Sequence, residues 1–97
     1  MRVYEIAKDV TTETSTDVLE LPVSGNPTLE GVFQTEFESD TGTANVTLEG
    51  RIHPDAPWVT IVNHIATNAG AVVLFPQLRV TTDTVSGSPT INCWIGW

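Results

Sequence analysis

A few residues have side chains that could do chemistry. His53 and Asp55 flank Pro54, and an imidazole two residues from a carboxylate could form half of a metal or acid–base site. No third ligand is specified. A tight corner between Pro54 and Pro57 accounts for both polar residues, because prolines cannot continue a ladder and turns favour Asp. His64 and Cys93 could be imagined as a nucleophile and its base. Cys93 alternates with Ile91 and Ile95, so it reads as a small buried hydrophobe instead. Glu36, Glu38 and Asp40 fall on one strand face, as in hard-cation sites. They lack the spacing of an EF-hand loop and read as a solvated acidic face. Phosphate loops, nucleophile elbows and zinc-protease helices are absent, so the expectation is no enzyme and no cofactor.

Three tryptophans remain. Trp58 follows the proline corner and reads as core. Trp94 lies opposite Cys93 and Ile95 in the last strand, and Trp97 follows them. One sandwich core covers only one side of each strand. Trp94 and Trp97 are therefore the candidate interface for a subunit or partner.

The elements that must carry these residues are strands. The clearest alternation runs through residues 28–38 and resumes over 43–53, with Leu29, Gly31, Phe33, Thr35, Phe37, Ala44, Val46, Leu48, Gly50 and Ile52 on the buried side. Thr41-Gly42 between them suggests a hairpin that sets Phe37 opposite Val46, Thr35 opposite Leu48, Phe33 opposite Gly50 and Gly31 opposite Ile52. Further strands are expected over residues 3–7, 17–21, 58–65, 71–75, 77–85 and 91–97, with turns at 24–27, 67–70 and 86–89 and a surface loop over 9–17. No segment has a helical period. Seven or eight short strands make an all-β protein, an antiparallel β-sandwich or jelly roll, in one domain over 1–97. Residues 1–27 read as an N-terminal arm or edge strands.

Charge narrows the partners. Four basic against twelve acidic side chains give a net charge of −8, and Arg2, Lys8, Arg51 and Arg79 are scattered. Nucleic acid and anionic membrane surfaces are disfavoured. A lone cysteine allows no intramolecular disulfide and fits folding in a reducing cytosol. The start of the chain lacks the apolar run of a signal peptide, and the longest apolar run, residues 69–75, is far below the roughly 20 residues that span a bilayer.

Residues 46–95 carry a recognisable texture. Val46-Thr-Leu-Glu-Gly-Arg51 leads to Ala56-Pro-Trp-Val-Thr-Ile61, then Leu74-Phe-Pro-Gln-Leu-Arg-Val80 and Val85-Ser-Gly-Ser-Pro-Thr-Ile91. This resembles small β-sandwich structural proteins of tailed-bacteriophage virions, especially head decoration (cement) proteins. The resemblance implies a protein made in the host cytoplasm and placed on the outer capsid of the virion. Its partner would be the major capsid protein, and it would form a homo-oligomer, a trimer being the simplest closed choice on a capsid lattice. The alternative is a tail- or fibre-associated binding module that recognises host glycan through exposed aromatic rings.

Overall fold

The computed structural model describes residues 2–21, 29–38 and 42–97. Among them are nine β-strands: β1 (Val3–Val10), β2 (Thr14–Ser15), β3 (Leu19–Glu20), β4 (Leu29–Phe37), β5 (Gly42–Arg51), β6 (Val59–His64), β7 (Asn68–Leu74), β8 (Gln77–Gly87) and β9 (Ile91–Gly96). All pairings are antiparallel, in two sheets. The four-stranded sheet runs β1-β9-β4-β7. The second runs β2-β8-β5-β6, with β3 also against β8. The all-β sandwich expected from the alternation is the architecture found.

The core lies between the sheets. Phe33, Ile91, Cys93 and Ile95 from the four-stranded sheet meet Ala44, Val46, Leu48, Leu78 and Val80 from the other, and all are buried. Burial of the larger of these side chains contributes about 1.5–3 kcal/mol each, the main drive to form two layers.

The expected hairpin does not form. β4 pairs with β7 and β9, whereas β5 pairs with β6 and β8. The chain crosses from one sheet to the other between them, so Phe33 and Leu48 come from facing sheets. Alternation reports which face of a strand is apolar, and that face is satisfied equally by an in-plane neighbour or by an opposing layer. The proposed glycine pairings fail with it. Gly31 packs against Leu74 and the Gly96 carbonyl, and Gly50 against Ile61 and Phe75.

Other boundaries shift too. Ile52 was expected in the core but is 72% exposed, because β5 ends at Arg51 and the proline corner leads away from the sheet. That corner is closed by the Ala56 amide donating to the His53 carbonyl at 3.0 Å. Asn68, Ala69 and Gly70, expected in a turn, belong to β7. The expected loop over 9–17 contains β2, and β8 runs on to Gly87, whose positive φ of 78° suits glycine. The expected turn at 24–27, and Asp40 and Thr41, lie outside the described residues.

Candidate functional site

Two surfaces and one buried group concern function. The buried group joins the sheets. His64, at the end of β6, is 5% exposed, and Thr35 in β4 is fully buried. His64 Nδ1 lies 2.9 Å from Thr35 Oγ1, and the same hydroxyl lies 3.7 Å from Cys93 Sγ. The Phe33 ring stacks on the imidazole, with centroids 5.1 Å apart and planes 24° apart. The structure thus brings His64 and Cys93 together only through Thr35. Both ends are held neutral. Burial pushes the Cys93 thiol up to about 11, outweighing the Thr35 hydrogen bond that lowers it. Burial also lowers His64 below its ordinary 6.5. A thiol kept protonated is a weak nucleophile, so the chain Cys93–Thr35–His64 acts as a polar pin between two apolar layers.

The imidazole makes stability depend on pH. Its folded-state pKa lies below the unfolded one. As pH falls through 6.5 the unfolded chain takes up a proton that the folded chain refuses. His64 therefore makes stability fall from pH 6.5 downwards, until the folded pKa is reached, and leaves it level above. Urea midpoints measured across that range should fall for the parent, with a shallower fall for His64→Gln.

His64 reaches the core in unbroken register with Val62, and β6 carries a bulge only beyond Val62, towards Trp58. Val46 pairs with His64 and Leu48 with Val62, but Glu49 pairs with Thr60, leaving Ile61 as the extra residue. Val62 and His64 therefore share the inner side, while Thr60 shares the outer side with Glu49. Strict alternation placed Trp58, Thr60, Val62 and His64 together, and the bulge separates them.

Trp58, expected in the core, is consequently on the outside of the five-stranded sheet and half-buried. Two guanidinium groups cover its ring, Arg51 at 4.2 Å and Arg79 at 4.4 Å from the centroid. Arg79 Nε donates to Glu49 at 2.9 Å. Arg51 Nε donates to Gln77 at 2.7 Å, and Gln77 Nε2 donates to Glu20 at 3.0 Å. This network pins the 52–58 corner to the sheet. Trp58→Ala should cost about 1–2 kcal/mol, two partly exposed cation–π contacts at ~0.5–1 each, read as a lower denaturation midpoint.

The third feature is the outer face of the four-stranded sheet. Register places Val3, Gly96, Val32 and Ala71 in one row across all four strands. The next row is Glu5, Trp94, Gln34 and Ala69. Val3 is 67%, Val32 37% and Val73 45% exposed. Trp94 is half-buried and lines a shallow depression of about 90 Å³ with Val3, Val32, Gln34 and Gly96. Trp97 lies on the core side, packed against the buried cluster, with its amide and carbonyl paired to Arg2. The structure thus divides the two candidate interface residues between opposite sides of one strand. Val32 belongs to the outer patch and was legible as an apolar residue on an otherwise polar face.

The other candidates stay apart. His53 Nδ1 accepts from the Asp55 amide at 3.1 Å and lies 3.8 Å from its carboxylate, both side chains in solvent. Among the described residues no three His, Cys, Asp or Glu side chains are grouped to hold a metal ion. Glu36 lies 3.5 Å from the Asn92 amide nitrogen.

Comparison with known proteins brings no match to a family model, a curated protein or a solved structure.

Proposed function

We propose that the protein is a structural accessory protein of a phage virion, a decoration protein bound to the outer capsid. The observation that carries this reading is the apolar row of Val3, Val32 and Ala71, with Trp94 beside it in the next row, on the outside of a sheet whose inside is already filled. Monomeric soluble proteins seldom expose contiguous apolar surface without using it. The resemblance of residues 46–95 to phage virion sandwiches supports the same reading. The partner is the major capsid protein, clamped across neighbouring capsomers against internal pressure. The protein self-associates, with a trimer suggested by lattice three-fold symmetry.

Purified protein mixed with undecorated capsid shells tests this. The parent should cosediment, and Trp94→Ala should weaken binding while leaving the fold intact. Trp97→Ala should lower stability instead, because that ring packs on the core. A parent that ignores shells overturns the reading. The second reading, a glycan-binding module of a tail or fibre, is favoured by one observation: Trp94 stands beside Gln34 and Glu5, a ring flanked by hydrogen-bonding groups. Tryptophan emission that responds to sugars and not to shells would favour it.

A further inference from the structure

Every open sheet has edges, whose unpaired N–H and C=O groups can template another strand. Among the described residues this sandwich has four, and three are blunted. β1 carries register shifts on both sides of Ala7, and Glu5, Lys8 and Asp9. β6 carries the bulge at Ile61. The edge along β8 is broken into β2 and β3, two residues each. β7 has no bulge, break or charge; its Ala69 amide donates to Asn68 Oδ1 at 2.8 Å, a cap that an incoming strand would displace. Its pairing with β4 is unbroken from Leu29↔Leu74 to Thr35↔Asn68. Its sequence, Asn-Ala-Gly-Ala-Val-Val-Leu, contains no charge and no proline. Asn68, Ala69, Gly70, Ala71 and Val73 are exposed, and a Cβ placed on Gly70 would meet nothing within 4 Å.

We propose that β7 is the contact through which two copies of this chain associate, β7 against β7, antiparallel about a two-fold axis. The occupant must be a strand, since a row of alternating amides and carbonyls is satisfied by another such row. A second copy fits because the row is its own complement: β7 laid antiparallel on β7 sets seven uncharged residues against seven, so the −8 that each copy carries is not opposed acid to acid along the strand. Centring the axis on Ala71 sets Gly70 opposite Val72, Ala69 opposite Val73 and Asn68 opposite Leu74. Residues of equal parity meet, so outer faces stay outer and the sheet runs on through eight strands. The depression lined by Glu30, Ala71, Val72 and Val73, about 210 Å³, lies beside this edge, with Glu30 on β4, one strand in from the contact row. The contact is isologous and closes at two copies, where lattice symmetry alone suggested three. It does not depend on the virion reading.

Light scattering and hydrogen exchange on the parent and on the Ala69→Lys, Ala71→Lys double variant test it. Both positions are exposed, so the variant should keep its fold. The substitutions change net charge from −8 towards neutrality, which by itself would favour association, so a loss must be local. The parent should be a dimer that dissociates on dilution, with slowed amide exchange within residues 68–74 in the dimer only. The variant should be a monomer at concentrations where the parent is dimeric. A parent that stays monomeric, forms trimers, or is protected elsewhere overturns the proposal, as does a folded variant that still dimerises. If the variant fails to fold, the exchange map of the parent decides alone. Trp94→Ala should remain a dimer, so loss of shell binding with dimer retained separates failure of the two readings.

Discussion

Phe33→Ala should lower the unfolding free energy by about 3–5 kcal/mol. The ring has no exposed surface, pairs in register with Ile95 and stacks on His64. Truncation leaves a cavity where the two sheets are joined, and removes the apolar cover over the imidazole. A domain of this size has about 5–15 kcal/mol in all, so the variant should sit close to unfolding at room temperature. Urea titration followed by tryptophan emission measures it. A midpoint within error of the parent's would mean that Phe33 is not held between the sheets.

The second large effect comes from adding atoms. Gly31→Ala should cost about 1–3 kcal/mol, the usual range for overpacking. The new methyl would collide with the Gly96 carbonyl of β9 and stand 2.6 Å from Leu74 Cδ1. The leucine tip can turn aside, but the carbonyl belongs to a central strand and cannot. Gly70→Ala is the matched control, because that position opens onto empty space. It should stay near the parent, and the difference between the two midpoints isolates the clash.

These two residues show what the sequence could and could not say. Alternation correctly placed Phe33, Thr35, Val46 and Leu48 inward, because a period of two follows from the pleat whichever strand lies alongside. It could not say that β4 and β5 face each other across the core, since the partner strands β7, β8 and β9 are distant in the chain. Parity also fails wherever a strand gains a residue. The bulge in β6 sent Trp58 outward to its arginines while His64 stayed inward on Thr35, and no local pattern marks it. The outer position of Trp94 was legible because β9 has no bulge and its neighbours Cys93 and Ile95 are plainly apolar. What makes that face a patch was not legible, because Val3, Val32 and Ala71 meet only through cross-sheet register.

The order of pairing also governs how the molecule assembles in time. Among the described strands only β5 and β6 are both consecutive in the chain and adjacent in a sheet. β1 has β9 as its sole neighbour, and Val3 finds its partner at Gly96. A growing chain therefore holds β1 unmatched until β9 appears. The β5–β6 hairpin is the one local nucleus, and each later step closes a long loop before any contact rewards it. Such topologies fold in milliseconds to seconds rather than microseconds. During that wait β7 is an uncharged strand in a chain of net charge −8, and like charge of that size opposes the association of unfolded copies.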